Sequence, residues 1–362
     1  DLEGGAGAGV ASGHDQLVVA GSVTLNNSDL DLVIGSGFTA PAAGTELILI
    51  DNDGADPVTG EFNGLPDGTI ITLGINNPTP PPTLIPGQLF EIDYQGGDGN
   101  DVSLVVLAET ATTNIWVDGA GNLKVTDIDG GNSTDNLTIR VDSTTSEVVI
   151  TDPDNALGTL INGAVQPSVG EIRVPVAEFT GDIMVGTEGE DDSITIGDLG
   201  NLVLPAGIMV DGGDGFDNIR YTGSGSVLAA GGNASFTGEE IDFQFSDLTT
   251  TDGNISLDGT GGTGSNHQGI HLLDSDLTAG GTGSVTLNGS GGDTANSNQG
   301  VLLTNESSIT TNNGAIAIDG SGGGMVAGRG VQIYSGSTLT AGGSGALMID
   351  GTGSCLLYTS PS

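Results

Sequence analysis

The chain has 362 residues, among them 65 glycines, with 36% hydrophobic and only 4% aromatic residues. Five basic residues stand against 47 acidic ones, which gives a formal net charge of −42 at pH 7. Nucleic acids and anionic membranes bind through clusters of Lys and Arg, so this charge excludes both as partners and favours cations. Glycine without a Gly-X-Y period excludes collagen, and the hydrophobic content excludes disorder over most of the chain.

Short strands in which apolar and polar residues alternate recur along the chain, separated by turns rich in Gly, Asn and Asp. Leu17 and Val19 mark the first of them. No stretch has the i, i+3, i+4 spacing of an amphipathic helix. The sequence therefore predicts an all-β fold, with a first module over 1–107, an exposed loop at the prolines of 78–82 and a linker over 108–114.

Three segments of the first module resemble a known class of protein. They are GHDQLVVAGSVTLNNSDLDL (13–32), LILIDNDGADPVTGEFNGLPDG (47–68) and FEIDYQGGDGNDVSLVVL (90–107). Together they are similar to the end module of autotransporter-associated β-strand-repeat proteins, which are large secreted proteins of bacteria. The resemblance implies a β-solenoid end module in 1–107 and a secreted protein.

The middle of the chain contains an internal repeat. After a β-rich module at 115–182, the segment 183–207 aligns without gaps with 208–232, and Asp192 aligns with Asp217. Each unit has 25 residues, which is long enough for three short strands. This length is typical of one coil of a parallel β-helix, whose neighbouring coils stack about 4.8 Å apart.

The last third, 233–354, repeats again in units of about 30 residues. The units open with GNISLDGTGG (253–262), GSVTLNGSGG (283–292), GAIAIDGSGG (314–323) and GALMIDGTGS (345–354). We expect two inward stacks, one of Leu257, Leu287, Ile318 and Ile349 and one of Ile270, Val301 and Val331. The repeats resemble those of filamentous-haemagglutinin-like adhesins, which implies exposure on a cell surface.

A single unit of this kind cannot fold alone. Ordering its backbone costs more free energy than its few apolar side chains gain on burial. Neighbouring units must supply hydrogen bonds between coils and cover the apolar ends. The predicted architecture is therefore a right-handed parallel β-helix or a series of β-solenoid segments.

The strongest local motif is GGDGFDNIR (212–220), which resembles the calcium-binding nonapeptide of RTX proteins throughout. The resemblance implies that turn carbonyls and Asp217 hold Ca²⁺. A second candidate, GGDGNDVSL (96–104), has Ser103 where the apolar residue of the motif belongs. Its candidate ligands are Asp98, Asn100 and Asp101. No tandem array of nonapeptides is present, which departs from the RTX pattern.

The internal repeat adds an argument from the residues themselves. It stacks the acidic turn 188–192 over 213–217 and places Asp192 beside Asp217. Two unit charges about 5 Å apart repel by about 3 kcal/mol at an effective dielectric constant of about 20, and a bridging Ca²⁺ would relieve this repulsion. The candidate calcium ligands of the two turns are Glu188, Asp191, Asp192, Asp214 and Asp217. The alternative is a solvated acidic turn without a metal.

Two further acidic segments, DNDGAD (51–56) and DIDGGNSTD (127–135), look like calcium loops. Neither has EF-hand spacing with a final bidentate Glu, so both are predicted to be Asx-type turns. The glycine runs such as GTGGTG lack the following helix and lysine of a phosphate-binding loop and are predicted to be turns.

Some parallel β-helices are polysaccharide lyases or hydrolases, and this is the alternative function. The basic residues fall in different predicted coils, and His267 and His271 are interpreted as a surface pair. The single tryptophan, Trp116, lies outside the repeats, whereas a carbohydrate-binding cleft is typically lined by aromatic residues. The sequence therefore favours a protein that is not an enzyme.

The expected function is a structural or adhesive segment of a giant extracellular, cell-surface protein, with Ca²⁺ as candidate cofactor. Its expected partners are extracellular or cell-surface glycans or proteins. No apolar run approaches the about 20 residues of a transmembrane helix, so no membrane insertion is expected within this chain. The tail 355–362, which holds the only cysteine, resembles a translated sequencing adapter, and we expect the chain to be an internal piece of a longer protein.

Overall fold

The computed structural model describes residues 2, 4–9, 13–32, 38–53, 55–75, 83–199, 207–228, 231–262, 267–292, 298–324 and 328–353, with backbone alone at 73–75 and 83–87. The predicted proline loop at 78–82 and the tail 355–362 lie outside these residues. The chain divides into two compact units. The first is Asp1–Gly119 with Thr151–Glu178, and the second is Ala120–Ile150 with Phe179–Ser362.

The described elements are strands, apart from one 3-10 turn at Val176–Glu178. In the first half of the chain they are β1 (Leu17–Val19), β2 (Glu46–Asn52), β3 (Ile70–Ile75), β4 (Thr83–Gly96), β5 (Asp101–Thr110), β6 (Thr113–Val117), β7 (Leu123–Asp127), β8 (Asn136–Asp142), β9 (Glu147–Thr151), β10 (Leu157–Thr159), β11 (Val165–Ser168) and β12 (Glu171–Pro175). This confirms the predicted all-β class.

The remaining strands are short and regularly spaced. They are β13 (Ile183–Gly186), β14 (Ser193–Ile196), β15 (Ile208–Asp211), β16 (Asn218–Tyr221), β17 (Ser226–Leu228), β18 (Ala234–Gly238), β19 (Glu240–Gln244), β20 (Asp247–Thr250), β21 (Ile255–Gly259), β22 (Ile270–Leu273), β23 (Asp276–Ala279), β24 (Val285–Ser290), β25 (Val301–Thr304), β26 (Ser308–Thr311), β27 (Ile316–Ser321), β28 (Val331–Ile333), β29 (Thr338–Ala341) and β30 (Leu347–Thr352).

The first unit contains a five-stranded sheet in the order β1-β2-β5-β4-β3. Only β1 and β2 pair in parallel, and the other pairs are antiparallel. This differs from the parallel solenoid expected for 1–107. The tight turn between β4 and β5 accounts for the central pair, since strands joined by a few residues can pair only antiparallel. The expected linker at 108–114 is also largely strand, because β5 continues to Thr110 and β6 begins at Thr113.

The second unit is built from three parallel sheets. Their strand orders are β7-β13-β15-β18-β21-β24-β27-β30, β8-β14-β16-β19-β22-β25-β28 and β17-β20-β23-β26-β29. From β15 to β30, successive strands along the chain pass from one sheet to the next, so each segment of three strands adds one strand to each sheet. This is the arrangement of a parallel β-helix and confirms that prediction.

The register of these sheets confirms the alignments made from the sequence. Ile183 pairs with Ile208 and Ile194 with Ile219, as the first repeat requires. In the later coils Leu257, Leu287, Ile318 and Ile349 pair in succession, as do Ile270, Val301 and Val331. A shift of one residue would have turned every side chain to the other face.

The core of the stack is a set of apolar columns that run from coil to coil. Leu257, Leu287 and Ile318 are almost fully buried, whereas Ile349 in the last described coil is 47% exposed. Tyr221 and Phe243 stack with ring centroids 4.8 Å apart, and Phe236 meets Phe243 edge-on at 5.4 Å. Each coil therefore buries the apolar side chains of its neighbour, which is the mutual stabilisation that the repeats imply.

Candidate functional site

The two acidic turns of the internal repeat stack directly on one another. The N–H of Asp214 donates to the carbonyl of Glu188 at 2.7 Å, and Gly189 and Asp214 form an isolated parallel bridge. The close approach requires glycine at Gly213, which has φ 91° and whose added Cβ would lie 2.2 Å from the carbonyl oxygen of Glu188. The predicted stacking of these turns is confirmed.

Below the turns, buried carboxylates link one coil to the next. Oδ1 of Asp192 accepts the N–H of Asp135 at 2.7 Å, and Oδ1 of Asp217 accepts the N–H of Asp192 at 3.0 Å. The N–H of Asp217 in turn donates to Oε2 of Glu239 at 2.9 Å. All three aspartates are at most 2% exposed. We call Asp135, Asp192 and Asp217 the aspartate ladder.

Asp217 has the most unusual electrostatics of the ladder. Burial raises the pKa of Asp217 to about 7, opposed by the hydrogen bond from Asp192 and reinforced by the negative charges of Glu239 and Asp192. Its Oδ2 is buried without a hydrogen-bond partner among the described residues. At neutral pH, a bound proton or a nearby cation would offset the free-energy cost of burying this carboxylate.

The other candidate ligands of the two turns lie at the surface. Glu188, Asp191 and Asp214 are exposed, and Oδ1 of Asp191 accepts the N–H of Phe216 at 2.9 Å. The structure thus brings Asp192 and Asp217 together but leaves the remaining carboxylates outside the ladder. Within the described ranges, no group of three or more His, Cys, Asp or Glu side chains is arranged to hold a metal ion. The calcium site stays a prediction.

The second calcium candidate lies in the turn between β4 and β5. Asp98 is exposed there, whereas Asn100 and Asp101 are buried against the end of β2. Nδ2 of Asn100 donates to the carbonyl of Asn52 at 2.9 Å, and Oδ1 of Asp101 accepts the N–H of Asn52 at 2.8 Å. These contacts give Asn100 and Asp101 a structural role that needs no metal.

The acidic segment 127–135 contains the Asx-type turns predicted from its sequence. The carboxylate of Asp127 accepts the N–H of Asp129 at 2.8 Å and that of Gly131 at 2.5 Å. Oδ1 of Asp129 accepts the N–H of Asn132 at 2.8 Å. Burial raises the pKa of Asp127, with the two backbone donors acting in the opposite direction.

A second polar site, which the sequence did not predict, lies on the outer face of the sheet that contains β16, β19 and β22. Arg220 pairs in register with Asp242, and Asp242 with His271. Nδ1 of His271 lies 3.2 Å from Oδ1 of Asp242. Arg220 and Asp242 are 22 residues apart, but Asp242 and His271 are 29 apart, so a fixed repeat length does not align them.

Comparison of the chain with models of protein families, with curated proteins and with solved structures yields no match. No helix in the described part of the chain is long and apolar enough to cross a membrane.

His271 also stands between an acid and a hydroxyl group. Its Nε2 lies 3.3 Å from Oγ1 of Thr304, while its Nδ1 faces Asp242. An acid, a histidine and a hydroxyl in this order form the relay of a nucleophilic hydrolase. However, Thr304 is only 5% exposed, so a substrate could not reach its hydroxyl group. The contacts among Asp242, His271 and Thr304 link three strands and give no support to nucleophilic catalysis.

Proposed function

We propose that this chain is a structural or adhesive segment of an extracellular protein carried on a cell surface. The observation that carries the proposal is the unbroken parallel register of the three sheets of the second unit. Coils that stack in register at about 4.8 Å extend a protein in one direction, as a spacer requires.

The contacts between coils suit a segment that bears mechanical load. Backbone hydrogen bonds join every successive pair of strands in each sheet, and the apolar columns lie inside them. In addition, Ser246 Oγ donates to Ser275 Oγ at 3.1 Å, and the N–H of Ser275 donates to Ser307 Oγ at 3.1 Å. These buried serines form a further line of hydrogen bonds across three coils.

The outer surface supports a role outside the cell. The net charge of −42 keeps neighbouring molecules apart and attracts cations in a salty medium. We propose Ca²⁺ as the cation of the stacked turns, supported by the exposed carboxylates of Glu188, Asp191 and Asp214 above the aspartate ladder. The ion would screen the repulsion between turns and stiffen the coils.

Surface exposure is tested on intact cells of the organism that encodes the chain. An antibody raised against residues 233–354 should label intact cells, and brief treatment of those cells with a protease should remove the signal. A cytoplasmic protein of similar abundance serves as the control and should survive the same treatment. Labelling that requires permeabilised cells would contradict the proposal.

The mechanical role is tested separately by pulling single molecules with an atomic force microscope. The full chain placed between marker domains should unfold stepwise over its second unit, in increments that correspond to one or a few coils. The one-dimensional architecture predicts this behaviour, because each coil is stabilised mainly by its neighbours. Extension without measurable resistance would contradict the spacer role.

A further inference from the structure

The outer face of β16, β19 and β22 carries a column of three polar side chains. Arg220, Asp242 and His271 occupy the same register position on successive strands. The apolar residues next to them in each strand are buried in the core, so these side chains face outward. One coil, about 4.8 Å, separates each from the next.

The side chains of this column are held in place by hydrogen bonds. The amide nitrogen of Gln244 donates to Oδ2 of Asp242, and its amide oxygen accepts from Arg220. Asp242 also faces His271, at 3.2 Å. These side chains are therefore paired with one another before any ligand arrives.

A second group lies beside the column. Glu240 is two residues before Asp242 on the same face of β19, and its Oε2 accepts from Nδ2 of Asn218 at 3.3 Å. Nδ1 of His267 lies 3.4 Å from the same oxygen. The ring of Phe216 meets the ring of His267 edge-on, with centroids 4.8 Å apart. We call Asn218, Arg220, Glu240, Asp242, Gln244 and His271 the polar strip.

The polar strip is accessible but partly shielded. The side chains of His271 and Asp242 are 19% and 16% exposed, and that of Glu240 is 19% exposed. Arg220 is exposed. Two of the three histidines of the chain thus lie beside two carboxylates here, with one of its five basic residues on the neighbouring strand.

This combination of groups matches the chemistry of sugar hydroxyls. A hydroxyl donates and accepts a hydrogen bond at once, and planar side chains such as Asp, Gln, Asn and Arg present donors and acceptors in pairs. The carboxylates of Asp242 and Glu240 disfavour a polyanion. Protein interfaces centre on buried Trp, Tyr and Arg side chains, and the polar strip holds one of these, Arg220, which is exposed.

We propose that the polar strip binds a neutral polysaccharide chain that lies along the stack of coils. The proposal rests on the proposed adhesive function and names its partner class. The spacing of one coil between Arg220, Asp242 and His271 is close to the length of one pyranose ring in an extended chain, so successive sugars would meet successive strands.

The test is isothermal titration of the full chain with four neutral hexasaccharides, namely cellohexaose, maltohexaose, chitohexaose and mannohexaose. At least one should bind with a dissociation constant below about 1 mM, which corresponds to about −4.1 kcal/mol. An alginate hexamer, which is anionic, should bind at least tenfold more weakly. Failure of all four neutral probes at 10 mM, or preference for alginate, would overturn the proposal.

Two variants locate the site. Asp242→Asn should weaken binding at least tenfold, because the neutral amide loses acceptor strength and the contact with His271. Arg220→Gln, at an exposed position, leaves the Asp242–His271 pair intact and should also weaken binding. The matched control is Asp258→Asn, an exposed strand position on a different sheet, which should bind like the unmodified chain.

Other outcomes distinguish this proposal from the broader one. Equal binding by all variants would place the sugar elsewhere and overturn the assignment to the polar strip. Shortening of a hexasaccharide during the titration would overturn a purely binding role. Either result leaves cell-surface labelling and stepwise unfolding unaffected, so failure here is separable from failure of the structural function.

Discussion

Oδ1 of Asp217 accepts a hydrogen bond from the backbone N–H of Asp192, 3.0 Å away and one coil earlier in the stack. The two residues that the repeat aligns are therefore joined through one side chain and one backbone group. The contact uses only one carboxylate oxygen, and the other oxygen of Asp217 is buried without a hydrogen-bond partner among the described residues. The ionisation state of this group therefore affects the stability of the fold.

The free energy of unfolding should fall between about pH 4 and pH 7 through Asp217. Its folded-state pKa of about 7 lies above its ordinary value of 3.8, so the unfolded chain releases this proton first as the pH rises. The stabilising contribution of the protonated group is complete at acidic pH and is lost as the pH passes 7. The measurement is thermal unfolding of the chain and of Asp217→Asn from pH 4 to pH 8.

Asp217→Asn should reduce the loss of stability with rising pH, since an amide keeps an acceptor for the Asp192 N–H and does not ionise. The difference in melting temperature between variant and unmodified chain should therefore increase with pH. Asp258→Asn, an exposed position, is the control and should parallel the unmodified chain. A pH-independent difference for Asp217→Asn would contradict the raised pKa.

Calcium should stabilise the second unit through the exposed carboxylates of the stacked turns. Extracellular modules bind Ca²⁺ with dissociation constants of about 0.1–1 mM, and a ligand at 100 times its dissociation constant adds about 2.7 kcal/mol to the free energy of unfolding. About 10 mM CaCl₂ should therefore raise the melting temperature more than NaCl at matched ionic strength. Glu188→Gln/Asp214→Asn should remove the excess.

The control for the calcium experiment is Asp319→Asn/Asp350→Asn, which removes an exposed acidic pair aligned on the neighbouring strands β27 and β30. It should respond to calcium like the unmodified chain. If calcium and sodium act equally on the unmodified chain, the turns hold no specific calcium site and are solvated acidic turns.

The stability of the turn between β4 and β5 should depend on Asp101 and not on calcium. Asp101→Ala removes the acceptor of the buried Asn52 N–H and should cost about 1–3 kcal/mol. Its melting temperature should fall in EDTA and in CaCl₂ alike. Asp98→Ala, at an exposed position in the same turn, is the matched control and should change little. A calcium-dependent effect of Asp101→Ala would support a metal at this turn.

Ile318→Asp should open the stack of coils locally. The side chain is 2% exposed, and an unpaired carboxylate at this position should cost more than about 3 kcal/mol. Limited proteolysis should then cut within 283–350, where the unmodified chain resists. Ala317→Asp, which faces outward in the same strand, should remain resistant. The reverse pattern would show that the register is shifted by one residue.

The sequence predicted the repeating part of the fold well because stacked coils make neighbouring strands align residue by residue. Asp192 and Asp217 are at equivalent repeat positions, and their proximity follows from that alone. In the first unit the strand directions could not be predicted in this way, since the same alternation of apolar and polar residues fits parallel and antiparallel strands. Only the tight turn 97–100 distinguishes them, and the expected solenoid there was wrong.

The sequence by itself determined the all-β class, the register of the inward columns and the stacking of the acidic turns, because each follows from periodic burial of apolar side chains. The tertiary structure decided which polar residues meet outside that period. Arg220, Asp242 and His271 come together because the loops between strands differ in length, while hydrogen bonding between coils keeps the strands themselves in register. It also decided that Asp192 and Asp217 are buried and Asp214 is not, since burial depends on what the neighbouring coil covers.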